Sequence, residues 1–290
     1  SKLLKIKHCI AVANGTSALY IALKIINIKK DDEVIIPNIT FPATANAVRM
    51  TEGKVVLADL DTNTLNIDIN DLKKKITKKT KAIIPVHVSG RPCDLGPILN
   101  IAKKRKIKVI EDAAEAFLSC YKNKFLGTLG DIGCFSLSPN KIFTSGQGGL
   151  IVTNNYKYNK LIRLFKNQGR FGLPTGGDDN YISLGGNFKL SNISAGLALS
   201  ELKKVSSRSK RLIKNYKLYN KLMKDTKEIK VVKFNLNYGE LPLWVDVICD
   251  RRDELFNYLR NKNIICRKFW NPLSSNNLYS KQKHTTFKNT

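Results

Sequence analysis

Over its first two-thirds the chain alternates short β-rich runs with helical stretches, and nothing else in the sequence limits the fold as strongly. Apolar runs at residues 34–37, 55–60, 82–87, 108–112, 132–136 and 149–153 read as buried strands. Helical patterns at 18–26, 44–50, 72–76 and 97–106 separate the earlier ones. Strands joined by helices of this length predict an α/β fold with a mostly parallel central sheet covered on both faces. In such sheets ligands sit at the carboxyl ends of the strands. The segment Asn14-Gly15-Thr16-Ser17, Asp112 and Ser136 all fall at that edge. From residue 197 the texture changes. Residues 197–223 read as one long basic helix, followed by a strand at 243–247, a helix at 252–261 and the run Ile264-Ile265-Cys266. The expected division is a large domain over 1–205, then a linking helix and a smaller α/β domain over 206–290.

Composition narrows the functional classes. No apolar run among the 290 residues approaches the roughly 20 needed to span a membrane. The opening Ser1-Lys2-Leu3-Leu4-Lys5-Ile6-Lys7 is too charged for a secretory signal. The six cysteines form no Cys-x-x-Cys pair and no zinc-ligand spacing, so no metal is expected and free thiols in the cytoplasm are the reading. The net charge of +27 comes from 39 lysines and 11 arginines against 23 acids. The lysines are spread along the chain without interleaved aromatics, which predicts a solvated surface and no specific nucleic-acid site.

Four segments carry possible chemistry. Gly15, Thr16 and Ser17 open a helix, where backbone N–H groups and the helix dipole suit an anion; a plain N-cap has the same look. Asp112, in Glu111-Asp112-Ala113-Ala114-Glu115-Ala116, ends a buried strand. It could cap the next helix or pair with a protonated ring nitrogen that a flat ring brings past the two alanines. Lys141 stands between Phe135-Ser136-Leu137-Ser138-Pro139-Asn140 and a Gly-rich turn ending in Gly146-Gln147-Gly148-Gly149. An amine held in a cleft can form a Schiff base. Phe41, in Asn38-Ile39-Thr40-Phe41-Pro42-Ala43-Thr44-Ala45-Asn46, could stack on a planar cofactor or belong to the core.

Taken in order, Gly-Thr-Ser before a helix, Phe-x-Ala-Thr-x-Asn, Asp-Ala-Ala at a strand end and Phe-Ser-x-x-x-x-Lys leading into Gly-x-Gly-Gly resemble the DegT/DnrJ/EryC1/StrS sugar aminotransferases. Pro85-Val86-His87, Gly130-Asp131-Ile132 and Gly186-Asn187-Phe188-Lys189-Leu190-Ser191 extend the resemblance over nearly the whole chain. Within the family, residues 86–94 and 135–149 look most like the GDP-perosamine synthase branch.

The resemblance implies the fold of aspartate aminotransferase (type I) and pyridoxal 5′-phosphate as cofactor. It places the cofactor-bonding lysine on Lys141, the partner of the pyridine nitrogen on Asp112, the stacking aromatic on Phe41 and the contact near the ring hydroxyl on Glu115. Phosphate contacts fall on Gly15 and Thr16 through N–H groups, and on the hydroxyls of Ser17 and Ser136. Asn187 falls where the family reaches the phosphate from a neighbouring subunit, which implies a homodimer with shared sites. The implied reaction moves an amino group from an amino acid, glutamate by family habit, to a nucleotide-linked 4-keto-6-deoxy hexose in glycan precursor synthesis. Two rivals accompany it. The sugar 3-dehydrases, which use pyridoxamine phosphate, carry histidine at the lysine position, and Lys141 argues against them. The family segment that precedes residues 5–8 has no counterpart here, and the chain stops soon after Phe269-Trp270-Asn271-Pro272-Leu273, so a truncated or inactive cofactor-binding paralogue is the other.

Overall fold

A computed structural model of the chain describes residues 1–170, 181–276, 278–279 and 287–290. The elements follow the expected alternation. They run β1 (His8–Val12), α1 (Gly15–Ile25), β2 (Glu33–Pro37), α2 (Pro42–Met50), β3 (Lys54–Ala58), α3 (Ile69–Lys75), β4 (Thr80–Ile83), α4 (Leu95–Arg105) and β5 (Lys108–Asp112). A small hairpin of β6 (Cys120–Tyr121) and β7 (Lys124–Phe125) precedes β8 (Ile132–Ser136) and β9 (Gly149–Thr153). Then come α5 (Tyr156–Phe165), α6 (Asn192–Leu202), α7 (Val205–Leu222), β10 (Ile229–Val231), β11 (Val247–Cys249) and α8 (Arg252–Asn261).

Seven strands form one sheet in the order β1-β9-β8-β5-β4-β2-β3. All run parallel except β9, which pairs antiparallel with both β1 and β8. The α/β prediction therefore holds. Successive residues of each strand point to opposite faces, and both faces are apolar. Ile35, Ile83, Val109 and Val152 enter one core with Leu72 of α3 and Leu95, Ile98 and Ala102 of α4. Val34, Ile36, Ala82, Ile110 and Ile151 enter the other with Leu19 and Leu23 of α1, Val48 of α2 and Ile162 of α5. That is why the strands read as unbroken hydrophobic runs: neither face meets water. Each fully buried Leu or Ile contributes about 1.5–3 kcal/mol.

Three expectations differ from the structure. The stretch 197–223 is two helices, one ending at Leu202 and the next starting at Val205, with a turn at Lys203 and Lys204 between them. The break carries no Gly or Pro, so the sequence does not announce it. The late strand is Val247–Cys249, paired with Ile229–Val231, and not residues 243–247. Residues 241–243 instead pack on the end of the large sheet, where Leu243 N–H donates to Ser89 O at 2.9 Å. Ile264–Cys266 forms no strand, and Ile265 is 99% exposed. Strand β1 and helix α5 were not anticipated; α5 starts where Asn155 caps the Tyr158 N–H.

All six cysteines are free thiols. Burial pushes the thiols of Cys93 and Cys134 well up, which makes them inert core residues. Among the described residues no helix is long and apolar enough to cross a membrane.

Candidate active site

The polar residues expected at the carboxyl edge of the sheet converge there. Asp112 closes β5 and is buried. Its Oδ1 accepts from Ala114 N–H at 3.2 Å and its Oδ2 from the Thr44 hydroxyl at 2.7 Å. Thr44 stands in the first turn of α2, three residues after Phe41, and its Oγ1 lies 3.0 Å from that of Thr40. Since the one Thr44 proton goes to the carboxylate, Thr40 is the donor in the second bond. Burial pushes the Asp112 carboxyl above the ordinary range; the Thr44 and Ala114 hydrogen bonds and the charge of Lys141 pull it back, while Glu115 adds to the rise.

Lys141 lies on the return from β8 to β9. Its Nζ donates to Glu115 Oε1 at 3.1 Å, and both side chains are 12% exposed. The other oxygen, Oε2, accepts from Ser89 N–H at 3.0 Å, and Trp244 Nε1 donates to Oε1 at 3.3 Å. Glu115 thus ties the lysine to a backbone amide and to an indole from far along the chain.

The third part is a cradle at the start of α1. Asn14 caps the helix by accepting from Ser17 N–H at 2.8 Å, which uses that amide. Gly15 and Thr16, at the first two helical positions, precede any intrahelical acceptor, so their N–H groups point out of the helix end. Gly15 packs on the end of β8: a methyl there would sit 3.1 Å from Ser136 Cβ, a tight contact that would push the two segments slightly apart. The Ser136 hydroxyl pairs with that of Ser138 at 2.8 Å.

Of the residues named from sequence, Gly15, Thr16, Ser17, Asp112, Glu115, Ser136 and Lys141 gather at this edge. Phe41 is not a core aromatic. It is 53% exposed at the start of α2, and its ring centroid lies 6.4 Å from that of Trp270. Asn187 is exposed and joined by a β-bridge to Asn167, on a loop whose next residue, Phe188, accepts from Ala13 N–H at 2.8 Å. Its amide makes no hydrogen bond to the cluster among the described residues. His87 is structural. Cys93 N–H donates to Nδ1 at 3.1 Å, so Nε2 carries the hydrogen that faces Glu111 Oε2 at 3.1 Å.

Sequence reading missed Thr44, Ser89 and Trp244. Thr44 lies inside the Phe-x-Ala-Thr-x-Asn segment, where nothing local distinguishes it from the other small helical residues. Trp244 had no local signal, because its partner is 129 residues away.

A buried amine beside a carboxylate, a second carboxylate at a strand end, outward N–H groups and small residues around a gap match the needs of pyridoxal phosphate: an amine for its carbonyl, an anion for its ring nitrogen and donors for its phosphate. The residues present fit that cofactor.

Comparison with known proteins points the same way. The sequence profile of the DegT/DnrJ/EryC1/StrS aminotransferase family matches residues 1–290. The GDP-perosamine synthase of Escherichia coli O157:H7 is 37% identical over 289 residues, covering 96% of this chain and 77% of that protein. The GDP-perosamine synthase of Caulobacter vibrioides is 42% identical over 205 residues, covering 69% of this chain and 53% of its own length. The solved structure of the Helicobacter pylori aminotransferase involved in pseudoaminic acid biosynthesis superimposes with a TM-score of 0.90 at 25% identity, over 99% of this chain and 79% of that one.

Proposed function

Because the chain belongs to the DegT/DnrJ/EryC1/StrS aminotransferase family, we propose that it transfers an amino group from an amino acid, glutamate in the first instance, to a nucleotide-linked keto-deoxy sugar. The observation that carries the reading is the meeting of the Lys141 amine, the Asp112 carboxylate and the Gly15–Ser136 cradle at one sheet edge. The names of the relatives, GDP-perosamine synthases, support a sugar carried on GDP, and the resemblance adds a 4-keto-6-deoxy hexose as the acceptor.

Pyridoxal phosphate, when bound, supplies a carbonyl that takes up the amino group and a ring that withdraws electrons from the reacting carbon. The protein's residues do the rest. Gly15 and Thr16 offer N–H groups to the phosphate, helped by the hydroxyls of Ser17 and Ser136. Asp112 holds a proton on the ring nitrogen, and its negative charge there favours electron withdrawal. Phe41 would cover the ring from one side. Glu115 pairs with the Lys141 ammonium and would be the residue nearest the ring hydroxyl. Lys141 Nζ is the amine that would hold the cofactor, and as a free amine it would carry the proton released from the donor's α-carbon to the carbon that receives the amino group.

Two copies forming a dimer with shared sites belong to the same proposal, with Asn187 reaching across. Helix α6 supports it: Ile193 and Leu197, one turn apart, and Leu199 are 88%, 45% and 66% exposed, apolar surface suited to a partner. A division of the chain near residue 205 into a large and a small domain fits this scheme.

The test is to add pyridoxal phosphate, reduce with borohydride and map the pyridoxyl group by peptide mass spectrometry. A single stable adduct on Lys141 is expected. Labelling scattered over the surface lysines would remove the proposed site.

A further inference from the structure

Glu115 Oε1 receives two donors, the Lys141 ammonium at 3.1 Å and the Trp244 indole N–H at 3.3 Å. The tryptophan is delivered by a segment fixed on both sides. Leu241 N–H donates to the Ser119 hydroxyl at 2.9 Å, and that hydroxyl donates to Gly90 O at 2.6 Å. Leu243 N–H reaches Ser89 O at 2.9 Å. The backbone comes so near that a methyl on Gly90, whose φ of +94° already favours glycine, would lie 2.1 Å from Leu241 O. Past the tryptophan, Asp246 pairs at 2.5 Å with Arg91, whose side chain is 2% exposed. Residues 89–91 are therefore clamped to 241–246 from both ends, and Ser89 also gives its N–H to the second oxygen of Glu115.

We infer that Trp244 is a positioning residue for the Lys141 amine, acting through Glu115. This rests on Lys141 being the reacting amine. The indole N–H takes up part of the negative charge of Oε1, the atom that holds the ammonium. It sets where the carboxylate sits and how firmly it grips the lysine, so that the amine can be released for reaction. The charged groups around that amine are Glu115 and Asp112, both from the end of β5 and the turn after it. The ring itself is 41% exposed, so its placement is not a demand of core packing.

The test compares wild type with Trp244→Phe in the full chain cleared of cofactor. Trace acetylation by acetic anhydride at fixed pH is mapped by peptide mass spectrometry, and the rate at Lys141 is referred to surface lysines in the same sample. Without the indole N–H, Glu115 holds the ammonium more tightly and less free amine is available. The relative rate at Lys141 should fall about threefold to tenfold. A merely structural role gives the opposite sign, since a loosened segment exposes the lysine and raises its rate. An unchanged or increased rate in a folded variant overturns the inference. If Trp244→Phe does not fold, the isosteric analogue benzothienylalanine, which carries sulfur in place of the N–H, replaces it at position 244 and the same two outcomes decide. The readout needs no cofactor, so it is separate from the pyridoxyl-adduct test: an adduct on Lys141 with no rate change would leave the proposed function standing and remove only Trp244.

Discussion

Thr44 and Asp112 lie 68 positions apart in sequence and meet at 2.7 Å, the threonine hydroxyl donating to the carboxylate that ends β5. The bond fixes the carboxylate plane and favours its ionised form in a site where burial opposes charge. Thr44→Val keeps the shape and removes the donor. We expect the affinity for pyridoxal phosphate, followed by absorbance titration, to drop about tenfold or more, in line with a lost hydrogen bond to a charged group. Thr44→Ser should restore most of it. Equal affinities in all three proteins would sever Thr44 from the function of Asp112.

Asp112 also makes stability depend on pH in an unusual direction. Its folded-state value is raised above that of an unfolded chain. Between about pH 4 and its raised folded-state value the unfolded chain has released this proton while the folded chain still binds it. The contribution of Asp112 to stability is thus full below about pH 4 and is lost as pH rises through the folded value. Asp112→Asn removes the penalty. At neutral pH its cofactor-free form should melt higher than wild type by about 2 °C or more, and the two curves should converge in acid. Thermal melts across the pH range check the sign, and a variant less stable at neutral pH contradicts it.

Lys141→Ala should abolish amino transfer, because neither the covalent anchor nor the proton carrier remains. Asp112→Ala should lower turnover by orders of magnitude with the fold intact by circular dichroism. Near-normal turnover in either variant removes that residue's assigned role.

Glu111, next to the site, has a structural role. It accepts from Gly127, Leu129 and Gly130 N–H groups at 2.7, 2.7 and 2.6 Å, and from His87. Glu111→Ala leaves three amides and an imidazole N–H without an acceptor at the end of β5. Urea unfolding should show a loss of about 3–5 kcal/mol. A loss under about 1 kcal/mol would mean that water replaces the carboxylate.

The fold was legible because each central strand is apolar on both faces. Residues 108–112, 132–136 and 149–153 were read to their observed limits for that reason. Asp112 stood out because it ends such a run, whereas Lys141 was singled out by its place before a Gly-rich turn and by the resemblance to the family. Other parts gave no local sign. The helix break at Lys204 carries no turn residue. The edge strand β1 is only partly buried along its length. Trp244 and Ser89 matter only through partners brought close by the tertiary fold. Phe41 could be read as a core aromatic or as a ligand contact, and its exposure sets it apart from the core.

Because β9 alone is reversed, Lys141 lies on a direct return between neighbouring strands, with Phe135 facing Leu150 and Ser136 facing Gly149. Closing so short a loop costs little chain entropy, whereas the Glu115–Trp244 contact must close 129 residues. The site should therefore assemble in sequence order of its loop lengths, the lysine arm with the sheet, Thr44 and Asp112 with the helices, and the indole last. Pulse-labelled hydrogen exchange during refolding should find the amides of 132–136 and 149–153 protected before Leu243. If so, a newly made chain holds a shaped but ungripped lysine until its final third has docked, and the reactive amine is the first part of the site to exist and the last to be set.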